Sequence, residues 1–558
     1  MLKQFDDEEI QNIIKKKAPG GIKFGEKSKV EVDASYAKRV PHLHGLDSGM
    51  KQLTDNSPES KTKKIHFKHT DARGIVHDLD VNVGLNITPD LEQKFKKLCE
   101  KHSDLFFDDE DFFPYLLDKN GKPFLHRLNL REDAVIRSNP VSLKLPPDHQ
   151  DALSKAIKAK LRNNTFVKIP RNEQSYCNPL SVVPKSSVDK FGNKKWRLVQ
   201  SLVNISENSL FINFKLECPR ELLEKLPTDA KYYHFFDSVS SFDSLLLHQD
   251  DVKFTGFMAP DPSTQGKTFE IFGCSRMPQG HLNGSPNLVK TYNEIYKDCI
   301  QEGLAVYCDD FACGHNSQIR LFEFTKKIFE ISSKARVRFS PLKSFWFVMS
   351  GIFCGLQLKA GALTVPAKYA AKVQDCQKPT NKSQLQRFIG LVNYTRSFIP
   401  DYSKHAEVLI SVMNKLDDKG KMVWGEPQNV AFDMLQKNIL NPLSLYSIDY
   451  YAKGSSLHMY FDSSKGSRAG CLFQKLVNED GSLKDFKLID YFSQTIPAAQ
   501  KWSSILRNEW MALISCSDIW HRYLLIPSME KYIYTDSKAL WLMTRHRCRN
   551  PRIFEFIN

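Results

Sequence analysis

The sequence predicts an α+β chain made of several compact units, and three observations carry that expectation. Its 558 residues exceed what one hydrophobic core holds; at roughly 100–200 residues per domain they should form three to five units. Short apolar runs of strand character and longer segments of helical period both occur along the chain. From Leu457 the pattern changes: three strand-like segments are followed by a helical one and a further strand.

Composition narrows the class. A hydrophobic fraction of 41% and a charged fraction of 26% are ordinary for a globular chain. No run approaches the ~18–20 apolar residues that span a bilayer, so no membrane partner is expected. The N-terminus, MLKQFDDEEIQNIIKKK, is charged and lacks the apolar stretch of a secretory signal. Twelve cysteines are scattered without a C-x-x-C pair, which predicts reduced thiols rather than a disulfide framework or a zinc site. The net charge of +15 suits a polyanionic partner.

In chain order, residues 1–63 read as a leader or linker, rich in lysine and turn-formers. Leu91–Phe107 and His149–Asn164 read as helices, and Phe166–Ile169 and Leu180–Val183 as extended segments. A charged hairpin tip (DKFGNKK) precedes the strand WRLVQSLV. Two apolar strands then run into acids: Tyr232–Phe236 into Asp237, and Gly303–Tyr307 into Asp309-Asp310. Between them Ser285–Gln301 reads as a helix opened by Pro286. Lys382–Phe398 reads as another, capped by Asn381 or Ser383 and stopped before Pro400. After Leu457 come the strands LHMYFD, AGCLFQKLV and FKLIDYFS, the helix SSILRNEWMALISCSDIW and the strand KYIYTD.

Two adjacent carboxylates on a turn after an apolar strand are costly as plain structure, because like charges repel and each needs compensation. Divalent ions supply it: two-metal phosphoryl transfer needs about three carboxylates converging on ions ~3.5–4 Å apart. Magnesium takes oxygen ligands and needs few from protein, with manganese as a substitute. Alone, YCDD reads as a solvated turn; the motifs around it decide.

Those motifs resemble reverse transcriptases, specifically the polyprotein of Gypsy-type long-terminal-repeat retrotransposons. NPLSVVPK and WRLVQSLVNISENS resemble the fingers, FFDSVSSFDSLLL the first carboxylate motif and CSRMPQGHLNGSP the template-side motif. YCDD and SPLKSFWFVMSGIFCGLQL follow, then LQRFIGLVNYTRSFIPDYS and MVWGEPQNVAFDMLQ, which resemble the thumb and tether. The resemblance covers roughly residues 85–558. It implies a right-hand polymerase of fingers, palm and thumb, followed by a tether and a truncated ribonuclease H-like α/β domain. The expected divisions are 1–63 leader, 64–130 N-terminal extension, 131–355 fingers and palm, 356–420 thumb, 421–455 connection and 456–558 ribonuclease H-like domain, C-terminally incomplete.

The resemblance also implies roles. Asp237, Asp309 and Asp310 would be the metal ligands of DNA synthesis. Asp243 competes with Asp237 for the first place, but no apolar strand leads into it. Phe242, five residues after Asp237, would pack under the sugar of the incoming nucleotide and leave no room for a 2′-hydroxyl. Lys185 and Arg197 would clamp the triphosphate, which suits a point charge and a bidentate fork. Gln279 would contact the nascent pair and Gly280 would let backbone approach the template base. Gln279 stands where many Gypsy-type elements have phenylalanine, nearer the retroviral pattern. Lys343 is a candidate acid for the leaving pyrophosphate.

Asp462, Glu509 and Asp536, two strand-end aspartates and one helix glutamate, resemble three of the four carboxylates of ribonuclease H. The fourth would lie beyond Asn558, so the domain is expected to be truncated, with no integrase after it. Asp47-Ser48-Gly49 has the aspartic-protease triplet without the apolar strand such a site needs. The expected partners are an RNA template, a DNA primer and product, RNA/DNA hybrid and deoxynucleoside triphosphates. Oligomerisation is open, and the expected location is a cytoplasmic virus-like particle or the nucleus. The alternative is a degenerate, non-catalytic nucleic-acid-binding copy; an RNA-dependent RNA polymerase is disfavoured by Phe242.

Overall fold

The computed structural model describes residues 62–107, 113–139, 147–188, 194–264, 268–413, 422–464, 466–497, 500, 503–537 and 540. The leader up to residue 61 with its 47–49 triplet, the hairpin tip 189–193 and the stretch 541–558 lie outside the described residues, as does the Lys185 side chain. Two compact units appear, Lys61–Cys354 and the chain from Gly355 on, and each is described by itself.

The first unit opens with an antiparallel hairpin, β1 (Thr62–Thr70) and β2 (Val76–Gly84), followed by helix α1 (Pro89–Lys101). Helix α2 (Pro147–Arg162) and strands β3 (Phe166–Ile169), β4 (Leu180–Val188) and β5 (Lys194–Gln200) come next. Then follow β6 (Tyr232–Asp237), β7 (Phe257–Pro260), β8 (Phe269–Cys274), helix α3 (Gly284–Ile295), β9 (Ala305–Tyr307), β10 (Asp310–His315), helix α4 (Gln318–Ala335) and β11 (Phe345–Val348). Six of these strands form one sheet in the order β1-β2-β11-β6-β10-β9. The segment expected as an N-terminal extension therefore supplies two strands of the central sheet. Gly84 permits this: a Cβ there would lie 2.2 Å from the Phe347 carbonyl oxygen.

Aromatic rings fill the space behind the central strand. Phe236 stacks on Phe311 and on Trp346, each at a centroid distance of 5.0 Å. All three rings are buried, and each such side chain contributes on the order of 1.5–3 kcal/mol by leaving water. His234 is also buried, its Nδ1 accepting from the Phe347 amide at 2.9 Å and its Nε2 lying 2.8 Å from the Thr325 hydroxyl. Burial lowers its pKa to about 3, so the ring is neutral and locked.

Three expected helices are shorter than their periodicity suggested. The one begun near Leu91 ends at Lys101, because His102 leaves helical geometry to bond Ser333 Oγ at 2.9 Å; a short 3-10 turn, Ser103–Phe106, follows. The segment Ser285–Gln301 breaks at Tyr296, whose buried hydroxyl meets Ser332 Oγ at 2.7 Å. The helix from Lys382 ends at Tyr394, where buried Thr395 turns the chain into a 3-10 segment. Tertiary contacts overrode local pattern at His102 and Tyr296.

The second unit contains α5 (Lys382–Tyr394), α6 (Tyr402–Ser411) and α7 (Glu426–Asn438), then β12 (Ser456–Ser463), β13 (Ser467–Val477), β14 (Leu483–Thr495), α8 (Ile505–Leu524) and β15 (Glu530–Tyr534). Asn381 is the cap of α5, its side chain accepting from the Gln384 amide at 2.9 Å. The strands form a sheet in the order β14-β13-β12-β15, with β15 parallel to β12. Leu457, Met459 and Phe461 alternate along β12 and bury against Leu513, Cys516 and Trp520 of α8. The described cysteines are free thiols.

Candidate active sites

Strand register builds the first carboxylate site. β6 and β10 are antiparallel, and Asp237 stands directly opposite Asp310. Side chains on facing positions of such a pair come close, so two acids that are 73 positions apart in sequence meet at one sheet end. Asp309 occupies the two-residue turn between β9 and β10. Cys308, the other turn residue, has φ 52°, as hairpins of this loop length require. The Asp309 carbonyl accepts from the Ser238 amide at 2.8 Å, tying the turn to the residue after Asp237.

Electrostatics here combine repulsion with a built-in cation, Lys343. Burial, then the charges of Asp309 and Asp237, pushes Asp310 up to about 6. Burial also raises Asp237, while Lys343 pulls it back. Lys343 Nζ donates to Asp237 Oδ2 at 2.9 Å. The competitor Asp243 is turned away: it is buried and ion-paired with Lys160 of α2.

The other expected residues are placed as follows. Phe242 is partly buried in a short 3-10 turn, Ser241–Ser244, that follows Ser240 in a left-handed conformation. Gln279 and Gly280 are exposed in the turn before α3, and Gly280 has φ 91°, which favours glycine. Arg197 is exposed on β5, opposite Val183 of β4. Nothing in the local sequence pattern marks Lys160, and only the Gly-Ser-Pro at the start of α3 marks Gly284.

The second site is more compact. Tyr460 of β12 pairs with Tyr534 of β15, so the residues two places on, Asp462 and Asp536, sit side by side. Glu509 reaches them from the first turns of α8, which is capped by the Ser504 hydroxyl accepting from the Arg507 amide. Ligand oxygens of Asp462, Glu509 and Asp536 all lie within 4.8 Å of one another. Burial first, then the charges of Asp462 and Asp536, raises Glu509 to about 8. Its Oε2 is buried without a hydrogen-bond partner among the described residues. An oxygen-only donor set with an orphaned buried carboxylate oxygen fits a hard divalent cation.

A palm-like sheet with paired acids, followed by an α/β domain with a second acid cluster, defines a right-hand polymerase joined to a nuclease-type domain. Residues 181–390 match the family described as reverse transcriptase (RNA-dependent DNA polymerase). Residues 453–557 match the RNase H-like domain found in reverse transcriptase. The chain thus carries the reverse transcriptase and RNase H-like domains of a retroviral or retrotransposon Pol polyprotein.

Among similar proteins, the retrovirus-related Pol polyprotein from transposon opus of Drosophila melanogaster is 23% identical over 68% of this chain and 36% of its own length. The Gag-Pol polyprotein of avian reticuloendotheliosis virus is 24% identical over 58% of this chain and 27% of its own. The chain spans between about a fifth and just over a third of the length of the curated relatives it matches. A foamy viral protease-reverse transcriptase solved in complex with dsDNA shares the fold at a TM-score of 0.68. It is 18% identical, and the match covers 83% of this chain and 89% of that one.

Proposed function

We propose that this chain copies RNA and DNA templates into DNA and degrades the RNA strand of the resulting hybrid, as part of a Gypsy-type retrotransposon polyprotein. The observation that carries the reading is the facing of Asp237 and Asp310 across β6 and β10, with Asp309 on the adjoining turn. Those three oxygen donors suit magnesium, with manganese as a substitute. Bound there, a pair of divalent ions would activate the primer 3′-hydroxyl and neutralise the triphosphate. Lys343 Nζ donates to Asp237 Oδ2 at 2.9 Å, beside the acids, and this proximity supports it as the group that protonates the departing pyrophosphate. Phe242 serves as the sugar gate, Arg197 and Lys185 grip the triphosphate, and Gln279 with Gly280 borders the template.

Asp462, Glu509 and Asp536 are the corresponding ligands for hybrid hydrolysis. The foamy viral relatives were solved with RNA/DNA hybrid and with dsDNA, which supports hybrid and duplex as partners here. The net charge of +15 supports phosphate-dominated, salt-sensitive binding. A cytoplasmic virus-like particle, with a nuclear phase, fits this activity.

The test is extension of an oligo(dT) primer on poly(rA) with magnesium. Incorporation should exceed that of an Asp309→Asn/Asp310→Asn control by at least about a thousandfold, the scale of losing a metal site. Equal incorporation by the two proteins would sink the assignment.

A further inference from the structure

Gly284 is the first residue of α3, and its backbone does not require glycine: it is absent from the positive-φ residues and starts a regular helix. Alanine would favour the helix by up to about 1 kcal/mol. The requirement comes from space. A Cβ on Gly284 would lie 3.3 Å from Cε1 and 3.7 Å from Cδ1 of Phe242. The nearer distance is tighter than ordinary carbon–carbon contact of ≈ 3.5–4.0 Å, so something has to move.

The helix start is held from several sides. The Asn283 side chain is fully buried, accepting from the Ile212 amide at 2.9 Å and donating to the Leu210 carbonyl at 2.8 Å. One turn on, Asn287 Nδ2 lies 3.0 Å from Nδ1 of buried His126, whose Nε2 lies 3.1 Å from His281. The turn that carries Phe242 is held as well. Asp243 is ion-paired with Lys160, and the Tyr292 hydroxyl donates to Ser238 Oγ at 3.1 Å. With both backbones anchored, the partly exposed Phe242 ring is the part that yields, and it yields away from α3.

We propose that Gly284 is a specificity-determining residue: its missing side chain sets how far the Phe242 ring stands from the nucleotide sugar. This rests on the reading of Phe242 as the sugar gate. A methyl group at position 284 drives the ring toward the sugar and tightens the site.

The experiment compares wild type, Gly284→Ala, Phe242→Ala and the double variant in primer extension with deoxy- and ribonucleotides, reading KM and kcat separately. In the wild-type background Gly284→Ala should raise the deoxynucleotide KM about 3–10-fold with kcat changed less than about 2-fold, the signature of altered substrate seating. In the Phe242→Ala background that effect should vanish, as coupling through one contact demands. An unchanged KM, or an equal rise in both backgrounds, overturns the proposal while Phe242→Ala still relaxes sugar choice. Wild-type sugar selectivity in Phe242→Ala overturns the gate reading itself, and the proposal with it. Melting curves check folding: a Gly284→Ala chain rescued by truncating Phe242 supports the contact, and unfolding in both backgrounds refutes it.

Discussion

The two carboxylate clusters meet the same problem, mutual repulsion of buried acids, with different solutions. In the Asp237–Asp309–Asp310 cluster Lys343 bonds Asp237, so one of the three charges is balanced before any ligand arrives, and Asp310 rises only to about 6. In the RNase H-like domain no cation counters Asp462 or Glu509 among the described residues, three donor oxygens crowd within 4.8 Å, and Glu509 rises to about 8. The first cluster can keep much of its charge without help. The second site defers compensation to what binds it, and should respond more strongly to metal and to pH.

The largest expected effect separates the two. Asp309→Asn/Asp310→Asn should lower DNA synthesis by about a thousandfold or more while leaving hydrolysis of a labelled RNA/DNA hybrid within about twofold. Parallel loss of both activities would break the idea of independent sites. The reciprocal change, Glu509→Gln, should abolish hybrid cleavage in a gel assay and leave primer extension intact. Next in size, Lys343→Met should reduce kcat for incorporation by about 10–100-fold, the range of a lost general acid, with little change in KM. It should also move the acid limb of the pH–rate profile upward, because Asp237 loses the cation that favours its charged form; an unmoved limb would discard that coupling.

The smallest effect is a linkage. Glu509 releases its proton near 4.5 when unfolded and near 8 when folded. The folded state thus prefers the protonated form, and the metal-free protein should lose stability as pH rises from about 4.5 to about 8, then level off. Magnesium or manganese takes the ionised carboxylate, so the metal-induced rise in Tm should grow across the same window. Glu509→Gln should flatten both trends in a melting series. A metal shift that shrinks with rising pH would contradict the charge balance assigned to this site.

The aspartates were legible in the sequence because each ends or follows a strand-like segment, and Glu509 because it lies on a helix between two of them; the ordered motifs around them, not any one acid alone, gave the signal. Strand period placed Asp237 after Tyr232–Phe236 and Asp462 within LHMYFD, and the structure keeps both strands. Helix ends were less legible: His102 and Tyr296 stop helices through bonds to Ser333 and Ser332, partners that a local window does not contain. The hairpin Thr62–Gly84 gave no sign that it would join the central sheet, since its pairing with β11 spans more than two hundred residues of chain.

The sequence by itself determined which residues carry charge, which segments are apolar enough to become strands and helices, and the order of motifs that points to a polymerase with a ribonuclease H-like domain. Tertiary structure alone decided that Asp310 faces Asp237, that Lys343 donates to Asp237, that Asp243 is diverted to Lys160, and that Gly284 backs the Phe242 ring. The reason is physical. Charge and period are properties of neighbours along the chain, whereas register, burial and a 3.3 Å approach arise only when distant segments compete for one space.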